Sequence, residues 1–425
     1  ILLNIPGNPA SVVTNRDGYA MTKKGESARA LGIAFLSSFL GGAFGLVMLI
    51  LIAPQLADFA LLFGAAEQSM LVLLGLTLVA GFSEGSLRRG LISAGLGLGI
   101  ATIGLDPISA IPRYDMGTVI FQQGISFIPV MIGMFAVPVA IHAILHRRER
   151  ETPNLSITVH PGHVIRQSFS QSKSLGICIL RSSVIGTIIG SIPGTGSAIA
   201  ATLGYKYAEH SSKNKEVAFG EGHPEGIAAP EAANSAVSGG ALIPMLILGI
   251  PGDPVTAVML GALIIQGLTP GVSLFQDSPE IVFGLFGSYG VALILLLVIG
   301  MLGTPIFVKA IRIPTRIMMP VIILMCIVGS YALQNSVLDI WIMLFFGVLT
   351  YFMQRLGYPI LPMLLALILG KILEEQFRMS LIIALGNPFI FFQKPISLAF
   401  ILLLVAYVGW QIWSSMRRQK IALAS

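Results

Sequence analysis

Charge is what this chain has least of. Asp, Glu, Lys and Arg make up 11% of its residues, against roughly 25% in soluble domains. So sparse a charge excludes an ordinary soluble globular protein. Cysteine is nearly missing as well. Cys178 and Cys326 both lie in apolar runs and read as buried free thiols, with no disulfide framework. The sequence has no P-loop and no Ser-His-Asp or Cys-His constellation. In "HAILH", His142 and His146 stand four apart, but Ala143 sits where a zinc protease needs its Glu. "VHPGH" (His160, His163) lacks further ligands nearby. A membrane-embedded enzyme would need titratable groups clustered in its spans, and the spans hold almost none, so the chain does not read as an enzyme. The alternative reading is a membrane-embedded enzyme or a channel of unknown substrate; a channel would need a continuous polar pore.

What the chain does have is apolar length. It is 55% hydrophobic, with a mean hydropathy of +0.85. Lipid is therefore the solvent for most of it. Backbone groups in a bilayer find no water, so only helices or closed barrels span it, and the long apolar runs select helices. The net charge of +6 reads as the basic excess of cytoplasmic loops and gives no reason to expect a nucleic-acid partner. Gly (47) and Pro (24) are abundant, as where helices pack closely or break. The sequence opens on Ile inside a motif, without an initiator Met or a signal-peptide pattern. It is expected to be an N-terminally truncated piece.

The opening phrase "LLNIPGNPASVVT" returns as "ILGIPGDPVTAVMLG" at 247–261. Pro6 then falls on Pro251, Asn8 on Asp253 and Ser11 on Thr256. Spans are expected near 30–53, 68–83, 89–105 and 119–145 in the first half. The second half offers 281–303, 317–333, 337–354, 359–370, 380–393 and 397–416. The loops swap their basic residues between halves. Lys23, Lys24 and Arg29 follow the first motif, whereas 267–280 has no Lys or Arg. Loop 54–67 has none, but its counterpart holds Lys309, Arg312 and Arg316. Arg88 and Arg89 face a basic-free 330–336. Because Lys and Arg stay cytoplasmic, the halves insert with opposite topology. The expected organisation is a first repeat over 1–145, a cytoplasmic linker over 146–173 and a second repeat over 174–425. Within the linker, "HVIRQSF" (163–169) reads as exposed connection or as a short interfacial helix. One end resists: "RRER" (147–150) and "RRQK" (417–420) both look cytoplasmic, and strict inversion places the second outside. A crossing at 380–393 would repair this, although that run contains Asn387-Pro388. Trp410 and Trp413 fit an aromatic belt.

Breaking an apolar helix exposes N–H groups at one end and C=O groups at the other. In lipid each costs several kcal/mol unless something satisfies it. Helix N-termini attract anions and free carbonyls attract cations. The two Pro-Gly motifs therefore read as hairpin tips facing a site near the midplane. A third break, "GSIPGTGSAIAA" (190–201), places Gly194 and Gly196 beside the hydroxyls of Thr195 and Ser197. The interval from Pro193 to Pro251, counted back from Pro6, runs off the start of the chain. Candidate substrate ligands are Pro6, Gly7, Ser11, Gly194, Thr195, Gly196, Ser197, Asn234, Pro251, Gly252 and Thr256. Asn8 and Asp253 are candidate ligands of a coupling Na⁺ or H⁺; each could equally cap the helix that follows. Glu231 reads as a cap at a helix N-terminus. Asn234 and Ser238 share one face, which could line a path or bond a neighbouring helix. "GTIIG" (186–190) signals close packing. No other cofactor is expected.

The stretch "KEVAFGEGHPEGIAAPEAANSAVSGGALIPMLILGIPGDPVTAVMLGALIIQGLTPG" (215–271) resembles the signature of the large, TctA-type membrane subunit of tripartite tricarboxylate transporters. "LLNIPGNPASVVTNRDGYAMTKKG" (2–25) resembles its first-half counterpart. The likeness covers essentially the whole chain, although the family's first span and first Pro-Gly-x-Gly segment are missing from it. The resemblance implies an all-α integral membrane protein of two inverted repeats, with re-entrant helical hairpins and broken helices, in the bacterial inner membrane. It implies ion-driven uptake of a tri- or dicarboxylate, without ATP. A periplasmic solute-binding protein would deliver the solute, and a small four-span membrane subunit would complete the permease. The hairpin-bearing part would move against a scaffold, as an elevator.

Overall fold

Lipid demands that backbone groups be satisfied within each spanning segment, and the chain answers with helices. The structure is a computed structural model. It describes residues 1–2, 8–82, 86–117, 119–122, 124–145, 161–212, 217–268, 270–310 and 315–424. In chain order come α1 (Ser11–Lys23), α2 (Ser27–Ala60), α3 (Ala65–Phe82) and α4 (Leu87–Ala101). An antiparallel hairpin of β1 (Gly104–Leu105) and β2 (Pro112–Arg113) follows, then α5 (Val119–Gln122) and α6 (Phe127–Leu145). The second half holds α7 (Pro161–Gly190), α8 (Gly196–Ser211), α9 (Pro224–Leu248), α10 (Pro254–Ile265) and α11 (Val272–Asp277). It ends with α12 (Pro279–Ala310), α13 (Thr315–Gln334), α14 (Val337–Arg355), α15 (Ile360–Ile383), α16 (Ile390–Gln393) and α17 (Pro395–Ala424).

Among the described residues, five helices are long and apolar enough to cross a membrane: Ser27–Ala60, Pro224–Leu248, Pro279–Ile306, Val337–Arg355 and Pro395–Trp413. The protein is an all-α integral membrane protein. Most expected spans coincide with helices, and four expectations are corrected. The run 119–145 is not one helix; α5 ends at Gln122 and α6 starts at Phe127, with Gly124 between them at a φ of +80°. The runs 359–370 and 380–393 are not two crossings. One helix, α15, covers 360–383, and the chain then turns through Leu385 (φ +53°) and Gly386 (φ +85°). The run 380–393 therefore supplies no extra crossing. "HVIRQSF" is neither loop nor separate helix but an early part of α7.

Packing divides the chain differently from sequence. One compact unit is built from Ile1–Phe59, Arg148–Thr256 and Leu268–Pro314. The other is built from Ala60–Arg147, Ala257–Gly267 and Thr315–Ser425. Each draws on both halves of the sequence.

The first unit is organised around α9, whose residues are mostly buried. Its neighbours meet it through glycines. A Cβ on Gly41 of α2 would lie 2.3 Å from the Ala232 carbonyl oxygen, and one on Gly186 of α7 would lie 2.2 Å from that of Ala233. One turn on, Gly45 and Gly190 meet the Ala236 and Val237 carbonyls in the same way. Only hydrogen at these positions allows such backbone approach. The "GTIIG" spacing is thus a packing device.

In the second unit α6 packs on α14, with Gly133 against the Met343 carbonyl. Similarly α4 packs on α15, with Gly97 against the Met363 carbonyl. The β1–β2 hairpin is tied to α15 by charge. Arg113 donates to both carboxylate oxygens of Glu374, at 2.6 and 3.0 Å, and Arg378 donates to Asp106 and Glu374. Asp106 also accepts the N–H groups of Ser109 (2.7 Å) and Ile108 (2.9 Å). These bonds, with that from Ser109 the largest influence and Arg378 next, hold the Asp106 carboxyl well below the usual carboxylate range.

Candidate functional site

Each break in the first unit has its own local chemistry. Helix α7 ends at Gly190, and Gly194 and Gly196 take φ of +82° and +69°, a region closed to most side chains. The Thr195 hydroxyl turns back and donates to the carbonyls of Ile189 (2.6 Å) and Ile192 (2.9 Å). It thereby caps the end of α7. Helix α9 ends with Gly249 in the left-handed region (φ +67°). There the N–H of Gly249 bonds the Met245 carbonyl, and that of Ile250 bonds the Pro244 carbonyl. The first of these is the single 5→1 bond of an αL close. The Gly271 N–H takes the Leu246 carbonyl at 3.0 Å.

The two breaks meet. The Gly194 N–H donates to the Gly252 carbonyl at 3.0 Å. A Cβ on Gly252 would lie 2.9 Å from both the Gly190 carbonyl oxygen and the Ala241 Cβ. The chain after α9 therefore folds back beside Ala241, one turn beyond Ser238. The helices that leave the breaks are short. The 16 residues of α8 rise about 24 Å and the 12 of α10 about 18 Å. Neither matches a hydrocarbon core of roughly 30 Å.

Both Pro-Gly motifs close with one cap geometry. The Ser11 N–H donates to Asn8 Oδ1 at 2.8 Å, and the Ser11 hydroxyl donates to the Asn8 carbonyl at 2.8 Å. The Thr256 N–H donates to Asp253 Oδ1 at 2.8 Å, and the Thr256 hydroxyl reaches Asp253 Oδ1 at 2.7 Å and its carbonyl at 3.0 Å. Asn8 and Asp253 thus act as helix caps. Pro6 and Gly7 lie outside the described residues, as do His146, His160 and "RRER".

Glu231, Asn234, Ser235 and Ser238 line one face of α9. Glu231, Asn234 and Ser235 are half-buried and Ser238 is exposed, whereas Ala232, Ala233, Ala236, Val237 and Gly239 between them are buried. Asn234 is thus on the same open stripe as Ser238. Glu231 sits two turns inside α9, so it does not cap that helix. Its carboxylate instead accepts the Ser38 hydroxyl of α2 at 2.8 Å and bonds the Thr14 hydroxyl of α1.

Asp17, on α1, is a residue that sequence reasoning missed. It is fully buried. Its Oδ1 accepts the N–H groups of Gly220 (2.8 Å), Gly222 (2.9 Å) and His223 (2.7 Å), and its Oδ2 accepts the Tyr205 hydroxyl (2.8 Å). Phe219 stacks on His223, with 4.1 Å between ring centroids. One carboxylate thus fastens α1 and α8 to the loop that starts α9. A signal existed: Thr14, Asp17, Gly18 and Met21 recur at helical spacing, a half-polar face that the helix turns inward. The same series orients α1. Met21 meets Gly222, Asp17 meets Gly226 and Thr14 meets Glu231. Helix α1 therefore runs antiparallel to α9. Among the described residues, no three His, Cys, Asp or Glu side chains group to hold a metal ion.

The profile of the tripartite tricarboxylate transporter TctA family matches residues 1–365. The chain belongs to the TctA family. Two relatives come from Agrobacterium vitis. An uncharacterized 52.8 kDa protein of the TAR-I ttuC′ 3′ region is 32% identical over 420 residues, which is 99% of this chain and 82% of the relative. An uncharacterized protein of the TAR-II ttuC′ 3′ region is 35% identical over 212 residues, covering 50% of this chain and 87% of the relative. No solved structure matches this TctA-family chain. The resemblance drawn from residues 215–271 therefore holds. In the structure that stretch includes the loop gripped by Asp17, the whole of α9 and the second Pro-Gly break.

Proposed function

We propose that this TctA-family subunit is the permease of a binding-protein-dependent secondary transporter that imports an anionic tri- or dicarboxylate by symport with a cation. The observation that carries this reading is the hydrogen bond between the two breaks, Gly194 to Gly252, beside the polar stripe of α9. A helix start with a positive dipole end follows each break: α8 at Gly196, α10 after Asp253, and α1 after Asn8. Carboxylates would be held by these N-termini, with Pro6, Gly7, Ser11, Thr195, Ser197, Asn234, Pro251 and Thr256 around them. The family supports a periplasmic solute-binding protein and a small four-span subunit as partners, and the bacterial inner membrane as the site of action.

The test is uptake of labelled citrate by vesicles carrying this subunit, its small partner and the binding protein. Accumulation against a gradient is expected when a sodium or proton gradient is imposed, and none when it is collapsed. Asn8→Ala combined with Asp253→Ala, normally inserted, is expected to abolish accumulation. Wild-type uptake in that double variant would sink the proposal.

A further inference from the structure

Glu231 is a carboxylate inside an apolar helix, and its surroundings leave its charge uncompensated by side chains. It lies about 10 Å into α9 from Pro224, counted at the rise of an α-helix. Among the described residues, no Lys, Arg or His side chain is ion-paired with it. The charged side chains nearby are engaged elsewhere. Asp17, on the same face of α1, is consumed by Tyr205 and three N–H groups, and Arg29 of α2 pairs with Glu26 at 2.7 Å. On α12 the nearest polar group on the stripe is the Tyr289 hydroxyl, which reaches the Ser235 carbonyl at 3.5 Å. On α7, Arg181 and Cys178 lie by Glu225, nearer the start of α9.

What does surround Glu231 is oxygen. Ser38 Oγ is 2.8 Å from Oε2, the Thr14 hydroxyl bonds the same carboxylate, and both residues are buried. Three helices thus bring a carboxylate and two hydroxyls to one place. Hard monovalent cations take such oxygens. A carboxylate at this depth is unfavourable unless paired or neutralised.

The other candidates for cation binding are partly engaged. Asp253 Oδ1 accepts both the N–H and the hydroxyl of Thr256. At the end of α9 the carbonyls of Pro244, Met245 and Leu246 each accept an N–H.

We propose that Glu231, with Ser38 and Thr14, binds the monovalent cation, Na⁺ or H⁺, that couples to solute movement. This rests on the transport reading above and places the ion site on α9, not at the Asn8 and Asp253 expected from the sequence. Cation occupancy would neutralise the stripe along which the anion passes, so an empty site would repel the solute.

The test uses the purified complex of this subunit with its small partner, without solute. Binding of ²²Na⁺ is measured in choline buffer at alkaline and acidic pH. Protonation is followed in parallel by infrared difference spectroscopy of the carboxyl band. If the cation is Na⁺, the wild type retains ²²Na⁺, and Glu231→Gln weakens its affinity by about tenfold or more, as loss of a charged ligand should. If it is H⁺, a protonated-carboxyl band forms in the wild type and is missing in Glu231→Gln. Ser38→Ala and Thr14→Val, which leave the carboxylate in place, are expected to shift the same signal by smaller factors. They carry the test should Glu231→Gln fail to fold. Wild-type ion binding, or an unchanged carboxyl band, in whichever of these variants folds would overturn the assignment. Citrate import by the wild type is scored separately. Its absence would count against the transport reading, whereas import with ion binding indifferent to Glu231 would count against this site alone.

Discussion

At the scale of single residues, two carboxylates outside the proposed site make opposite demands on their surroundings. Asp17 is buried and satisfied by four donors. Removing a buried acceptor strands its donors, at about 1–3 kcal/mol each. Asp17→Ala is therefore expected to lower the melting temperature in detergent most. Asp17→Asn should cost less, because a neutral acceptor remains, and Tyr205→Phe least, about 1 kcal/mol. A melting series followed by size-exclusion recovery checks this order, and a Tyr205→Phe as damaging as Asp17→Ala would contradict it. Asp106 makes its case through pH. Its folded-state pKa is depressed below the ordinary value of about 4. The stability it contributes is therefore complete above that value and is lost as pH falls below it. The wild type should lose thermal stability on acidification in that range, and Asp106→Asn should be less stable at neutral pH but show a flatter acid limb.

At the scale of elements, glycine decides how closely α7 approaches α9. Gly186→Ala would set a Cβ against the Ala233 carbonyl oxygen and should destabilise by about 1–3 kcal/mol. Gly176→Ala, on the same helix with nothing within 4 Å of its Cβ, should stabilise by about 0.5–1 kcal/mol through helix propensity alone. Equal effects in a paired melting measurement would contradict this packing. The elements themselves were largely legible, because lipid leaves an apolar run little choice but a helix. The misses lie where a mostly apolar run must turn. Hydropathy does not distinguish Ala384-Leu385-Gly386 from the helix before it, and the turn there rests on backbone conformation and packing. Gly124 breaks 119–145 for the same reason. In the candidate site, the caps could be read from Asn8-x-x-Ser11 and Asp253-x-x-Thr256, because cap chemistry is local. The meeting of Gly194 with Gly252 could not, since spacing does not say which loops touch. Glu231 looked like a cap because the start of α9 was read too late; the helix begins at Pro224.

At the scale of the whole chain, the alternation of basic loops makes a topological prediction. Single cysteines placed at Lys24 and at Tyr358, in a chain whose Cys178 and Cys326 are replaced by Ser, should react with a membrane-impermeant maleimide only from the cytoplasmic side. One at Gly267 should react only from the other side. Labelling of Lys24 and Gly267 positions from one face would overturn the inversion of the halves. The interleaving of the two compact units has a consequence for biosynthesis. The first closes only once Leu268–Pro314 has left the ribosome, and the second waits for the last segment, Thr315–Ser425. Until then α2, with Gly41 and Gly45 bare, sits in the bilayer without the helix it was shaped to receive. Early-inserted segments must be sheltered from wrong partners while translation continues, so a nascent chain stalled midway is a natural substrate for insertases and membrane proteases.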